Sequence, residues 1–226
     1  MKGELCVLKK IVILLLAFHT VYGFSRDKRW ADLGAHVSYI SYNGDMNESK
    51  LFYSPSVSQG IFLKQNFSDR YAIRFGLSQG KLKASDSDFQ NVFQQQRGKS
   101  FSARVWDLGL INEFNFFEYS PYEFKGDFIS PYIMAGLGVS ISFTNLQGPQ
   151  LNIPFGLGLK VKINERIGIG AEWSFRKIFN DELDGIKNYS NLEKKSLLHN
   201  NDWYTFAGIF LSYVISDLKI DCPTYD

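Results

Sequence analysis

The sequence of 226 residues has few of the residues that staple small domains or build metal centres. It contains only two cysteines, three histidines and six prolines. Two cysteines are too few for the disulfide framework of a small secreted domain, and they offer no cysteine cluster for a zinc ion. Because 25 basic residues nearly balance 23 acidic ones, bulk charge gives no indication of a nucleic-acid ligand.

Long apolar runs are also missing, with one short exception near the N-terminus. Lys9 and Lys10 precede the apolar run Ile11–Phe18, and the small residue Gly23 follows it. This order is typical of a secretory signal peptide. As a helix the run would span roughly 12 Å, far less than the ~30 Å hydrocarbon core. We therefore predict a signal peptide over residues 1–23 and an exported chain over residues 24–226; the alternative is a buried N-terminal helix.

After residue 23 the sequence alternates between apolar and other residues. In Leu151–Ile163 every odd-numbered residue is large and apolar, whereas the even-numbered ones are Asn, Pro, Gly and Lys. Ile167–Arg176 repeats the pattern after a connection of hairpin length, residues 164–166. Successive side chains of a strand point to opposite faces, so this pattern predicts strands with one apolar face. Only helices and closed barrels satisfy their backbone hydrogen bonds in lipid, and no later segment is a candidate membrane helix.

The same alternation predicts about eight strands and hence a closed antiparallel transmembrane β-barrel. The other candidate strands are Tyr71–Gly80, Ala135–Phe143 and, less regularly, Asp32–Ser41, Ser56–Phe67, Phe101–Phe116 and Trp203–Ile215. The connections at one end are residues 68–70, 118–130 and 164–166, and those at the other are 43–55, 82–100, 145–150 and 180–202. Short turns at one end and mostly longer loops at the other are typical of outer-membrane barrels, whose short turns are periplasmic.

The residues opposite the apolar ones indicate which face meets lipid. They are dominated by glycine and serine, which a water-facing sheet disfavours because glycine costs strand stability. A narrow lumen, in contrast, needs small residues beside long charged ones. We predict a network of paired charges in the lumen, formed by Arg74, Asp107, Glu113, Lys160, Lys162, Glu172 and Arg176, with His36 nearby. The alternative is a soluble, lipocalin-like barrel whose charges lie on a solvated face.

Aromatic residues and one proline mark the ends of the predicted strands. Tyrosine and tryptophan belong in the interfacial belts of a membrane barrel, and the candidates are Tyr39, Tyr42, Phe52, Tyr53, Phe67, Tyr71, Phe116, Phe117, Tyr119, Trp203 and Tyr204. Pro154 cannot donate a hydrogen bond within a closed sheet. We therefore predict that it lies at a bulge or near the outer rim.

No combination of residues indicates catalysis or metal binding. Ser196, His199 and Asp202 share one polar loop without the spacing of a catalytic triad. An acidic run from Asp181 to Asn188 lacks the ordered ligands of a calcium loop. We predict no catalytic, cofactor-binding or metal residue and no small-molecule substrate. Cys222 is either a free thiol or an intermolecular partner.

Several stretches resemble the PorG family, the outer-membrane barrel component of the bacterial type IX secretion system. They are Tyr42-Asn43-Gly44-Asp45, Glu113-Phe114-Asn115-Phe116-Phe117, Pro131-Tyr132, Ala135-Gly136-Leu137-Gly138-Val139, Ile153-Pro154-Phe155-Gly156-Leu157-Gly158, Phe175-Arg176-Lys177, Asp181 with Leu183-Asp184, Asn201-Asp202-Trp203-Tyr204 and Cys222-Pro223 with Tyr225. The resemblance covers nearly all of residues 24–226. The connection 145–150 is shorter than the third outer loop of that family.

The resemblance implies a non-enzymatic role in exporting cargo proteins across the bacterial outer membrane, with the periplasmic ring proteins PorK and PorN as partners. A barrel of about eight strands is too narrow to pass a folded protein, so we expect an anchor rather than a conduit. The expected partner surface lies in the connection 118–130 and a short periplasmic C-terminal tail: Glu118, Tyr119, Tyr122, Lys125, Asp217, Lys219, Cys222 and Tyr225. The alternatives are a small OmpX-like surface barrel, for adhesion or membrane integrity, and a lipid-modifying barrel enzyme.

Overall fold

The computed structural model describes residues 29–43, 52–85, 100–120, 128–142, 148–179 and 203–218. The predicted signal peptide lies outside these residues. The described chain forms eight strands: β1 Arg29–Asn43, β2 Ser56–Asn66, β3 Tyr71–Ser85, β4 Ser100–Asn115, β5 Ile129–Ser142, β6 Gln150–Lys162, β7 Ile167–Ile178 and β8 Trp203–Leu218. Among the described residues no helix is long and apolar enough to cross a membrane.

The strands form a closed barrel in which each pairs antiparallel with its neighbours in the sequence. The barrel closes where β1 pairs with β8, from Arg29 opposite Leu218 to Asn43 opposite Trp203. The predicted closed antiparallel barrel is therefore confirmed. Turns 67–70 and 163–166 and the described residues 116–120 after β4 lie at the same end as both termini of the barrel, and we call this the turn end. The opposite end is called the loop end.

The strands turn their apolar side chains outward and their polar side chains inward. Leu137, Leu157 and Ile209 are exposed by 69%, 55% and 68%, whereas Lys160 and Glu113 are each exposed by only 1%. A lipocalin-like barrel has the opposite arrangement, because its apolar face must avoid water. The alternative of a solvated charged face is therefore wrong.

Two strand ends differ from the sequence prediction by five residues or more. β5 begins at Ile129, inside the predicted connection 118–130, and β3 continues past Gly80 to Ser85. In this last part of β3 the polarity of the two faces is exchanged: Leu82 is buried, whereas Lys81 is exposed. A prediction that expects apolar residues to face outward therefore ends β3 at Gly80, five residues too early.

Pro154 interrupts one ladder of hydrogen bonds without shifting the register. In the β5–β6 pairing, Ala135 lies opposite Phe155 and Gly138 opposite Asn152, and the two positions between are not paired. The alignment of the strands is the same on both sides of this gap, so of the two predicted positions, a bulge or the outer rim, the bulge is excluded. The register shift of the barrel lies instead between Ala31 and Asp32. Pro154 is the fifth residue of β6 from the loop end, and its side chain points into the lumen.

The predicted aromatic belts are correct for only part of the set. Tyr39, Phe116 and Phe117 are exposed, as a belt requires. Tyr42 and Tyr204 are fully buried, because both occupy inward positions of their strands. They belong to the interior of the barrel near the loop end.

Gly136 provides a test of the close strand packing. A methyl group there would run into the carbonyl oxygen of Leu110 and lie 2.8 Å from the Cα of Ile111. We expect Gly136→Ala to lower the free energy of unfolding by about 1–3 kcal/mol. In Gly109→Ala the methyl group meets only the Ile111 side chain at 3.5 Å, so this control should change stability by less than about 1 kcal/mol. Urea titration of both variants in detergent micelles measures this, and equal midpoints would contradict the packing described.

Candidate functional site

Four charged side chains meet in the half of the lumen nearer the turn end, and we call them the lower charge cluster. Arg74 on β3 pairs with Glu113 on β4 at 2.9 Å and with Glu172 on β7 at 2.7 Å. Lys160 on β6 pairs with the other oxygen of Glu113 at 2.6 Å. The Tyr132 hydroxyl also donates to Glu172, at 2.9 Å. The cluster joins four strands through one continuous set of charge-assisted contacts.

The glycines of the lumen make room for these long side chains. A methyl group at Gly158 would lie 2.5 Å from the ring of Tyr132, the residue that supports Glu172. The same ring lies 4.2 Å from the Lys160 ammonium group, at cation–π distance. Replacing Gly158 would therefore displace the group that positions two members of the cluster. This explains why small residues alternate with charged ones on the inward face.

A second set of polar side chains, the upper charge cluster, surrounds Asp107. Arg176 pairs with Asp107 at 3.1 Å. The other oxygen of Asp107 accepts from the Tyr204 hydroxyl at 2.7 Å and from the Asn152 amide at 2.9 Å. The Arg176 guanidinium also lies 5.0 Å from the centre of the Phe206 ring. The three direct partners of Asp107 come from β6, β7 and β8, so Asp107 on β4 joins distant parts of the wall.

The structure contains a buried ion pair that the sequence analysis missed. Lys64 pairs with Asp32 at 2.8 Å, and both side chains are almost completely buried. The two residues lie directly opposite each other on β1 and β2. Both residues occupy even-numbered positions that point inward, and this spacing could have revealed the pair from the sequence. The alternation around them is less regular than in β6 and β7.

A turn closes the lumen from below. Tyr119 and Ser120 follow β4 and fold back beneath the barrel, where the Lys162 ammonium group donates to the Ser120 carbonyl. The Tyr119 ring lies 5.9 Å from the Lys160 ammonium group and 5.7 Å from that of Lys162. Burial raises the pKa of the Tyr119 hydroxyl, so it is neutral at physiological pH. Because Tyr119 is only 7% exposed, its predicted role in a partner surface is wrong.

Between the two clusters lies a cavity of about 40 Å³. His36 borders it and its Nε2 lies 2.9 Å from the Ser78 hydroxyl oxygen. Such a volume has room for a few water molecules and is far below the ~300 Å³ of a small ligand pocket. Above the upper cluster, apolar side chains fill the loop end of the lumen: Ile40, Tyr42, Leu82, Ala84, Val105, Ile178, Tyr204 and Phe206. Apart from this small cavity, the described interior is therefore packed from end to end.

The predicted lumen network is accordingly found in the lumen, with seven members at inward positions. Arg74, Asp107, Glu113, Lys160, Glu172 and Arg176 form ion pairs. Lys162 lies at the turn end of the lumen instead, where its ammonium group donates to the Ser120 carbonyl. No three His, Cys, Asp or Glu side chains gather as metal ligands within the described part of the chain. The loop residues Ser196, His199, Asp202 and Asp181–Asn188 lie outside it.

Of the predicted partner surface, the structure describes little. Glu118 is exposed and pairs with the exposed Arg70 at 3.4 Å. Asp217 lies at the end of β8 and pairs in register with Trp30. The remaining residues of that surface, namely Tyr122, Lys125, Lys219, Cys222 and Tyr225, lie outside the described ranges.

Comparison with known proteins gives one family and several similar folds. The profile of a family described as Domain of unknown function (DUF6089) matches residues 9–224. No curated protein matches the chain. Neisserial surface protein A, NspA, is similar at a TM-score of 0.52 and 10% identity, over 82% of this chain and 97% of that chain.

Two further solved structures are similar at lower scores. Ail, the attachment invasion locus protein of Yersinia pestis, has a TM-score of 0.47 and 11% identity, over 84% of this chain and 99% of that chain. The outer membrane protein OprG of Pseudomonas aeruginosa has a TM-score of 0.40 and 9% identity, over 83% and 97%. At these identities the likeness concerns the fold. The closed eight-stranded barrel with its outward apolar wall, a fold shared with NspA, assigns the protein to the bacterial outer membrane.

Removing one carboxylate from the lower charge cluster tests its energetic role. Glu113→Gln leaves Arg74 and Lys160 with an uncompensated buried charge, so we expect the free energy of unfolding to fall by about 3–5 kcal/mol. Glu118→Gln removes the carboxylate of an exposed pair and should cost less than about 1 kcal/mol. Urea unfolding of both variants in the same micelles measures the difference. Equal losses of stability would show that the lumen charges are not coupled as described.

Proposed function

The chain belongs to the DUF6089 family, and we propose that it serves the type IX secretion system as a non-enzymatic outer-membrane anchor. In this role it holds the periplasmic ring of PorK and PorN to the membrane during export of cargo proteins. The stretches that resemble the PorG family support the choice of system. They include Glu113-Phe114-Asn115-Phe116-Phe117 and Ile153-Pro154-Phe155-Gly156-Leu157-Gly158.

The packed lumen is the observation on which the choice of an anchor depends. Lys160 and Glu113 are sealed within the barrel, and Tyr119 closes the turn end below them. An eight-stranded barrel has room for side chains or one small ligand, and here the side chains occupy that room. A folded cargo protein therefore needs another pore. The function of this chain must lie on its ends or on its outer wall.

The turn end has the rigidity that an attachment point requires. The Tyr119 backbone N–H donates to the Asp69 carbonyl at 3.0 Å, and the Asn115 amide donates to the same carbonyl at 3.1 Å. The Arg70 guanidinium donates to the Phe116 carbonyl at 2.8 Å. These bonds join the β2–β3 turn to the β4–β5 turn as one unit. Exposed Phe117 and Glu118 lie on this unit and combine aromatic area with charge, as interface residues do.

A surface-exposed barrel for adhesion or membrane integrity is the second candidate. The fold likeness to NspA, a surface protein by name, favours it. Deletion of the gene distinguishes the two functions, because loss of cargo secretion supports the anchor, whereas normal secretion with altered adhesion supports the surface barrel. A lipid-modifying enzyme has less support, since the cavity described in the lumen measures only about 40 Å³. Altered lipid A in the deletion strain would revive it.

Co-purification from solubilised outer membranes tests the anchor. Residues 216–218 belong to β8, where they pair with residues 29–31 of β1, so the tail deletion should remove only residues 219–226. The turn replacement should be limited to residues 121–127, because Tyr119 and Ser120 seal the lumen. We expect recovery of PorK and PorN to fall by about tenfold or more when a principal contact worth 1.4 kcal/mol is lost.

Replacement of residues 183–199, in the connection at the loop end, is the matched control and should leave recovery unchanged. Heat-modifiable migration on gels verifies that each variant retains the barrel. Full recovery of both ring proteins from both turn-end variants would refute attachment through this end. Absence of PorK and PorN from the purified unaltered protein would refute the proposed function itself.

A further inference from the structure

The charged side chains on the described part of the outer wall are all of one sign. Among the described strand side chains, four charged ones face outward, and they are the basic residues Lys81, Lys83, Arg104 and Lys177. The described acidic side chains of the strands, such as Asp107 and Glu113, face the lumen. The outer wall therefore attracts anions, although the interior is nearly balanced.

These basic residues lie where the apolar band of the wall ends. Lys81 lies ten positions after Tyr71 on β3, and Lys177 lies ten positions after Ile167 on β7. At ~3.3 Å per residue and a tilt of ~40°, this distance rises about 25 Å, the height of the apolar band of outer-membrane barrels. Lys177 also lies over the Trp203 ring at 5.0 Å, and tryptophan is typical of the interface. The four cations thus lie at or just above the boundary between membrane and water at the loop end of the barrel.

Three of the cations share one projecting hairpin. The β2–β3 ladder ends at Gln59 opposite Gln79, and the β4–β5 ladder ends at Val105 opposite Ser142. Beyond these points β3 and β4 continue together as a two-stranded ribbon in the described structure, with Lys81 directly opposite Arg104. We call Lys81, Lys83 and Arg104 the basic ribbon. The basic ribbon thus brings three cations together on the outward face of this hairpin.

The inward face of the hairpin keeps the three cations on its outward face. Leu82, Ala84 and Ala103 are buried on that face. Leu82 and Ala84 belong to the apolar cluster that fills the loop end of the lumen. Rotating the hairpin would expose this apolar surface, so the cations are held on the membrane side.

A notch in the wall lies directly below the basic ribbon. It has a volume of about 390 Å³ and is lined by Val37, Ile61, Leu77, Gln79 and Trp106 around the small side chain of Ala35. Gln79 and Trp106 are each two residues from a member of the basic ribbon. The notch is mainly apolar at the depth of the acyl chains. Cations above an apolar notch suit a lipid that carries phosphate on its headgroup.

We propose that this surface binds lipopolysaccharide, with lipid A phosphate held by the basic ribbon and one acyl chain in the notch. Lys81 and Lys83 are successive outward residues, so the cations extend upward from the interface along the hairpin. This extent fits a phosphorylated sugar headgroup better than a single phosphodiester at the interface. The binding is independent of the proposed attachment to PorK and PorN.

Native mass spectrometry of the refolded protein in detergent tests this site with three lipids: phosphorylated lipid A, lipid A freed of phosphate, and phosphatidylglycerol. We expect phosphorylated lipid A to bind most tightly. Lys81→Gln/Arg104→Gln should weaken its binding by about tenfold or more, since each cation near a membrane surface contributes appreciably. Arg70→Gln/Arg166→Gln removes two exposed cations at the turn end and should leave binding unchanged.

A second variant tests the notch without changing charge. Ala35→Leu fills the notch and should weaken binding of phosphorylated lipid A several-fold by the loss of acyl contact. Ala135→Leu, on the outer face of β5 and away from the notch, is its control. Equal binding of lipid A without phosphate, or of phosphatidylglycerol, would overturn the proposal. Equal weakening by the Lys81/Arg104 and Arg70/Arg166 pairs would reduce the effect to overall charge and would also overturn it.

Discussion

Pairing of charges within a space too narrow for bulk water is the constraint on which the structure depends. Glu113 lies between Arg74 and Lys160, and Arg74 extends the contacts to Glu172. A buried ion pair gives little net stability, but the loss of one partner is costly because the other charge remains without water. The lower charge cluster therefore requires four strands to keep their relative positions. Glycine beside the long side chains, as at Gly158, follows from the same lack of space.

Because the interior is packed, the surfaces of the barrel are the parts able to contact other molecules. The turn end presents a hydrogen-bonded unit that includes Arg70 and Glu118, and the wall near the loop end presents the basic ribbon. Attachment of a periplasmic assembly at one end requires a barrel that resists tilt in the membrane. Lipopolysaccharide bound at the other end would provide this resistance, since it joins the hairpin to the outer leaflet. Attachment at the turn end and lipid binding near the loop end are thus compatible in one molecule.

Much of the fold could be predicted because side-chain alternation reports directly on which face meets lipid. The regular strands β6 and β7 fixed the inward positions of Lys160, Glu172 and Arg176 without any tertiary information. The pair Asp32–Lys64 could not be found in this way, because small and polar residues interrupt the outward pattern of β1 and β2. The end of β3 was missed where Leu82 turns inward. The burial of Tyr119 depends on a turn that folds beneath the barrel, and periodicity carries no information about such a contact.

The central claim is that the large apolar side chains face acyl chains, whereas the charged ones face a packed lumen. A nitroxide label at Leu157→Cys, with Cys222→Ser to remove the other thiol of residues 24–226, tests this most directly in lipid vesicles. Leu157 lies outward in the middle of β6. We expect the label to collide readily with oxygen, which concentrates in the bilayer, and rarely with a water-soluble nickel chelate. A label more accessible to the nickel chelate than to oxygen would contradict the account.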